Sequence, residues 1–188
     1  IQRNPDAPIK TDVAEFQKSL DEVSGEANAV ERLQRAAALY RGELLRGLSL
    51  IDTEAFSEWL QLKREQCQAQ AIAALDRLVR HYERSADYEQ GCRYARQLIS
   101  VEPWREDAHR RLMLMLARSG QRTAALKQYE SCQHHLRESL GVLPEPETQR
   151  LYRRIQQMTT QCNLPPALTP FIGREPELAR LMGFLSDP

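Results

Sequence analysis

The most reactive side chains in this chain are four histidines (His81, His109, His134, His135) and four cysteines (Cys67, Cys92, Cys132, Cys162). The run Cys132-x-His134-His135 sets metal-ligand types close together. On a helix, residues 132 and 135 share a face while 134 points elsewhere, so only two donors converge. A closed zinc site needs four protein ligands and a catalytic one about three. No two cysteines form a C-x-x-C pair, and their spacings fit no zinc pattern. No metal and no other cofactor is therefore expected. No serine sits with a histidine and a carboxylate in a recognisable nucleophile motif, and no carboxylate pair stands out. The phosphate-cradling G-x-x-x-x-G-K-[ST] is absent from the 188 residues. The chain is expected to be non-catalytic, leaving charged and apolar helix faces to carry its function.

Charge and hydropathy narrow the partners. Lys and Arg number 26 and Asp and Glu number 26, so the formal net charge is zero. A nucleic-acid binder normally carries a basic excess, because Lys and Arg neutralise phosphates. Residues 1–30 hold three bases (Arg3, Lys10, Lys18) against six acids. No segment reads as a recognition helix with a basic flank. Direct binding to duplex DNA is therefore not expected. With 41% hydrophobic residues, 28% charged residues and a mean hydropathy of −0.59, the composition is that of a water-soluble globular chain. No apolar run approaches the ~20 residues that span a bilayer. The chain starts at Ile1, without a basic-then-apolar leader, and reads as a piece of a longer cytoplasmic protein with reduced thiols.

The elements that position these faces are helices. Helix formers dominate, alternating β-branched runs are missing, and no proline occurs from 9 to 102. The spacing predicts helices over 12–24 and 28–41, the first opening on a capping box at Asp12-x-x-Glu15 and closing before Gly25. A break follows from Gly42 to Gly47, then a loop over 48–53 in which Asp52 or Thr53 can cap the next helix. From 54 to 84, Phe56, Leu60, Cys67, Ala71, Leu75, Leu78 and Tyr82 recur at steps of three, four or seven, which predicts one long amphipathic helix. Further helices are predicted over 87–101, 106–118, 122–140 and 146–160, with Pro103, Gly120, Gly141 and Pro146 at their ends. Pro165, Pro166 and Pro170 mark a stiff linker, and a last helix starts near Pro176. Cys67, Cys92 and Cys132 fall at apolar positions and are expected to be buried. Trp59 and Trp104 are expected to be packing anchors.

Part of this pattern repeats. A 34-residue frame from Ile72 places Leu75, Leu78, Tyr82, Asp87, Gly91, Ala95 and Leu98, and the next frame, from Glu106, places Leu112, Gly120, Ala125, Tyr129 and Cys132. Small residues such as Gly91 and Ala125 let paired helices approach, and Tyr82 and Tyr129 fill the space beside them. This large–small–large pattern resembles the tetratricopeptide repeat. A third frame fails, so 146–160 is expected to be a closing helix over the last apolar face.

Longer runs carry a more specific resemblance. They are Ala38-Leu39-Tyr40-Arg41-Gly42-Glu43-Leu44-Leu45-Arg46-Gly47-Leu48, Arg111 to Tyr129, Leu136 to Pro146, and Asp12-Val13-Ala14-Glu15-Phe16. In this order they resemble the bacterial transcriptional activator domain of SARP-type regulators, over about 12–160. That resemblance implies an all-α, tetratricopeptide-like right-handed superhelix of antiparallel hairpins. It also implies that 1–11 is a linker from an upstream winged-helix DNA-binding domain. The family more often carries Glu or another residue at Ser139. The run Leu168 to Leu178 resembles the opening segment of a STAND-type or AAA-like ATPase. On that resemblance, 161–173 is a linker and 174–188 the first helix of a truncated ATPase domain, with Ile172 and Arg174 touching nucleotide in the parent protein only.

In tetratricopeptide repeats the first helix of each pair lines a concave face. Here that implies a partner-binding groove of Asp76, Arg80, Glu83, Arg84, Asp107, Arg110, Leu114 and Arg118. Its four arginines could grip an acidic or C-terminal carboxylate segment, although the three carboxylates dilute that field. The resemblance thus implies a non-catalytic protein–protein module. Its partners would be its own DNA-binding and ATPase domains, a second copy, or the transcription machinery. An adaptor unrelated to transcription, or an accessory piece of a signalling ATPase, are the other readings open at this point.

Overall fold

Apolar residues spaced at helical intervals, punctuated by Gly and Pro, build seven helices in the computed structural model, which describes residues 11–21, 28–48 and 54–158. They are α1 (Asp12–Asp21), α2 (Ala29–Leu39), α3 (Glu54–Arg84), α4 (Tyr88–Val101), α5 (Glu106–Arg118), α6 (Arg122–Leu140) and α7 (Pro146–Gln157). No strand occurs among the described residues. Each helix packs on the next, and α7 also returns to α5.

The termini show which local chemistry sets the boundaries. The Thr11 hydroxyl accepts from the Ala14 amide at 3.2 Å, one residue ahead of the expected box at Asp12. Asp12 instead accepts from the adjacent Val13 amide at 2.8 Å. A threonine in extended backbone reaches the third amide, and so takes the capping role. The second helix is shorter than 28–41, because Asn28 adopts a left-handed conformation and Tyr40 is already extended. The closing helix ends at Gln157, short of 160. Asp87 caps α4, accepting from the Gln90 amide at 3.2 Å. The expected caps at Asp52 or Thr53, the stop at Gly25, the linker over 161–173 and the helix from Pro176 lie outside the described residues.

The turns of the two repeat frames carry the same backbone conformation one repeat apart. Gly120 has φ 78° and Ala86 has φ 57°. Glycine enters the left-handed region freely, whereas alanine pays of order 1 kcal/mol there. Ala86→Gly is therefore expected to stabilise the chain by about 0.5–1 kcal/mol in urea unfolding, less the extra entropy of the unfolded glycine. A loss of stability would mean that Ala86 is not strained.

The core follows the repeat. Leu75, Leu78, Val79, Leu98, Leu112, Met113 and Met115 are fully buried in one cluster that runs from Leu33 of α2 to Ile155 of α7. A second cluster joins Phe16, Ala36, Cys67 and Ala71, and so seats α1 and α2 on α3. Gly91 marks the closest approach of α4 to α5: a Cβ there would sit 2.5 Å from the Met115 sulfur. The tyrosines fill gaps as the repeat predicts, Tyr82 stacking on Tyr94 at 5.6 Å and Tyr129 on Tyr152 at 4.1 Å. Ile155 is fully buried, so α7 does cover the last apolar face. The tryptophans are not packing anchors: Trp59 is 48% and Trp104 43% exposed. Trp59 lies on an exposed face of α3, and Trp104 sits in the turn between α4 and α5.

Candidate functional site

Three helices form a groove of about 550 Å³. Glu83 from α3, Asp107, Arg110, Arg111 and Leu114 from α5, and Glu147, Arg150, Leu151 and Arg154 from α7 line it. Positions 107, 110, 111 and 114 are three or four apart, so one face of α5 makes the floor. The structure thus brings Glu83, Asp107, Arg110 and Leu114 together from the predicted set. Asp76 and Arg80 pair with each other at 2.9 Å farther back along α3. Arg84 and Arg118 are exposed and do not line the groove. Ile172 and Arg174 lie outside the described residues.

Most of the charge is already committed. Arg111 pairs with Glu83 at 3.0 Å. Arg110 reaches Glu145 at 2.8 Å, Glu106 at 3.6 Å and Glu147 at 3.8 Å. Arg105 pairs with Asp107 at 2.8 Å and Glu102 at 3.3 Å, and lies 3.9 Å from Asp76. Burial alone would raise the pKa of Asp107, but the Arg105 guanidinium more than offsets this and holds the carboxyl below the usual range. Two arginines are different. Among the described residues, Arg150 donates only to its own helix, to the Pro146 carbonyl at 3.2 Å. Arg154 is exposed at the rim. These two, beside the half-buried Leu114 and Leu151, are the cations a ligand could engage without first breaking an ion pair. Sequence reasoning missed both, together with Arg111 and Glu147. The signal was present in the i, i+4 spacing of Arg150 and Arg154, but only the docking of α7 turns that face inward.

The groove is held open by a network around Glu106. Its carboxylate accepts from the Thr148 hydroxyl at 2.5 Å and from the Glu145 amide at 3.0 Å. The Thr148 hydroxyl in turn accepts from Arg110 at 3.1 Å. Thr148 is fully buried, so these bonds fix the start of α7 against α5.

A larger cleft, about 940 Å³, lies between α2 and the α3–α4 hairpin. Gln34, Arg41, Arg64, Arg93, Tyr94 and Gln97 are among its walls. Arg64 donates to the Leu44 and Leu45 carbonyls, both at 2.9 Å, and pairs with Glu43 at 3.1 Å. It thereby ties the glycine-flanked loop after α2 to α3.

The histidine and cysteine chemistry turns inward. Cys67, Cys92 and Cys132 are buried free thiols. Burial, with the Glu106 carboxylate as a second cause, pushes the Cys132 thiol up to about 12. His134 is exposed, His135 is half-buried, and no group of three or more possible metal ligands is found among the described residues. Spacing assigns His109 no role beyond its place among the four histidines, yet it is fully buried. It stands one repeat after Leu75, in a core position. Its Nε2–H donates to the Pro103 carbonyl at 2.9 Å and its Nδ1 accepts from the Gln128 amide at 2.7 Å. Both ring nitrogens are satisfied only in the neutral form. Burial holds its pKa below the ordinary value, partly opposed by the Pro103 carbonyl and aided by His135.

In the unfolded chain this histidine takes up a proton near pH 6.5. The unfolded state therefore binds more protons as pH falls below that point, and stability falls with it. The melting temperature is expected to drop between about pH 6.5 and 5, and the drop should be shallower in His109→Leu. Equal slopes in the two proteins would show that His109 is not the group responsible.

Residues 11–156 match the bacterial transcriptional activator domain family. The chain belongs to that family. It is also 30% identical over 135 residues to Regulatory protein AfsR of Streptomyces coelicolor (strain ATCC BAA-471 / A3(2) / M145). The aligned stretch covers 69% of this chain and 12% of that protein, so the chain spans a small part of its relative's length. A bacterial transcriptional activator domain is a regulatory module of transcription activators, which places the groove in a regulator and accounts for the repeat-built scaffold. The family match ends at residue 156, within α7, so every residue that lines the groove lies inside the matched stretch. No described helix of this bacterial transcriptional activator domain is long and apolar enough to cross a membrane.

Proposed function

We propose that this bacterial transcriptional activator domain is a non-catalytic, cytoplasmic coupler that works by docking an acidic protein segment in the groove between α5 and α7. In the parent regulator it would stand between an upstream DNA-binding domain and a downstream ATPase that senses the signal, with Ile172 and Arg174 belonging to the latter. The observation that carries this reading is the pair Arg150 and Arg154: two cations without an acidic partner among the described residues, on one helix face, beside Leu114 and Leu151. A carboxylate accepts bidentate bonds from such guanidinium groups, and the leucines give the same ligand an apolar contact. The neutral charge of the chain fits a coupler, since the phosphate-binding surface would lie in another domain.

The test is made in the whole regulator. Arg150→Glu combined with Arg154→Glu is expected to lower activation of a target-promoter reporter severalfold. DNA affinity and the melting temperature should stay unchanged, because both side chains are exposed. Full activation by the double variant would overturn the reading.

A further inference from the structure

The 31 residues of α3 outrun its 14-residue partner α4, and the solvent face of the overhanging part has an unusual composition. Its exposed residues are Ala55, Trp59, Leu62, Gln66, Ala69 and Ala73. They recur at steps of four, three, four, three and four, which is the spacing of a coiled-coil seam. The solvent face of an amphipathic helix is ordinarily charged. This one carries no charge along its centre, and it leaves Trp59 48% and Leu62 66% exposed. The opposite face of the same helix is spent on the core, through Leu60, Cys67, Ala71, Ala74, Leu75 and Leu78.

From this we infer that the outer seam of α3 is a self-association surface, pairing in parallel with α3 of a second copy of this chain. The flanks of the seam identify the occupant. Glu58 and Glu65 lie along one edge, Lys63 and Gln70 along the other. In a parallel two-stranded pair, a residue on the first edge faces the residue five positions later on the partner's second edge. Glu58 then meets the partner's Lys63, and Glu65 meets the partner's Gln70, each contact occurring twice about the two-fold axis. An antiparallel pair centred on Gln66 sets each edge against its own copy, and so opposes Glu65 to the partner's Glu65 and separates Glu58 from Lys63. Gln66 lies at the centre of the seam, where its amide is both donor and acceptor and can pair with its copy. Ala55, Ala69 and Ala73 let the backbones approach, while Trp59 and Leu62 supply the apolar burial. The contacts Lys63 and Glu65 make in the single chain, to Gln66 at 3.1 Å and from Gln61 at 2.7 Å, are exposed and exchangeable. The seam is about 27 Å long at 1.5 Å per residue. That is short for a permanent dimer, so the association is reversible and concentration-dependent.

Sedimentation velocity of the 188-residue chain tests this. The weight-average coefficient is expected to rise from the monomer towards the dimer with loading concentration. Trp59→Glu with Leu62→Glu should hold it at the monomer value, with melting unchanged because both side chains are exposed. Glu58→Lys should weaken the dimer, and adding Lys63→Glu should restore it. Orientation is read by Ala73→Cys in a Cys162→Ser background. Parallel pairing gives a disulfide-linked dimer under mild oxidation. In an antiparallel pair centred on Gln66, the two copies of residue 73 lie about 21 Å apart and cannot cross-link. A chain that stays monomeric at every concentration, a dimer that survives the double glutamate variant, or a dimer that gives no Ala73→Cys cross-link would each overturn the inference.

Discussion

Leu112→Ala is expected to cost about 2–5 kcal/mol in urea unfolding, among the largest losses from a single truncation of the described residues. Leu112 is fully buried in the main cluster. It sits on α5, which packs against α4, α6 and α7. Removing three carbons there leaves a cavity that four helices would have to close together, and none can move without unpacking another. Small domains are held by only about 5–15 kcal/mol, so the variant should be close to unfolding at physiological temperature. Leu62→Ala is the internal control: the same chemical change at a side chain 66% exposed should fall within about 0.5 kcal/mol of zero. Equal losses at the two positions would refute the assignment of the core.

The second large effect is local. Glu106→Ala removes the acceptor for the buried Thr148 hydroxyl and for the Glu145 amide. It also strips Arg110 of one of its carboxylates. Leaving the buried Thr148 hydroxyl unpaired costs about 1–3 kcal/mol. The loss should concentrate where those donors sit. Amide exchange is expected to quicken across Pro146–Gln157 while Glu54–Arg84 keeps its protection, because α7 packs chiefly against α5 and α6. Glu106→Gln should do less harm, since its amide oxygen can still accept one of the bonds. Unchanged exchange in α7 would show that apolar contacts through Ile155, not this network, hold the helix in place.

The hairpins were legible because their signals are local. Apolar positions three and four apart, Pro103, Gly120 and Gly141 fix where helices run and stop, and the 34-residue frame pairs Leu78 with Leu112 and Gly91 with Ala125. Half of the predicted groove was legible for the same reason, since Asp107, Arg110 and Leu114 share one face of α5. The rest depends on how a helix is seated. Arg150 and Arg154 face the groove only because Thr148 and Glu145 bond to Glu106, a contact across about 40 positions that no periodicity encodes. The capping residue moved from Asp12 to Thr11 because a one-residue shift in helix start is beyond the resolution of a spacing pattern. Trp59 and Trp104 were expected inside on size alone, whereas burial depends on which face of the helix or turn the neighbours cover.

His109 has a consequence for assembly order. The two hairpins of this scaffold present similar apolar faces, and chains built from similar units can dock them in the wrong sequence or lend one to a neighbouring molecule. At the position where the first hairpin uses Leu75, the second uses an imidazole whose two partners are the Pro103 carbonyl, in the turn that leads into the second hairpin, and Gln128, on its own second helix. Moved into the first hairpin's place, that ring would meet Leu98 and Tyr94 surroundings with neither bond available. The misplaced arrangement would bury two unanswered nitrogens. A single polar residue thus labels the second hairpin and makes the two units non-interchangeable.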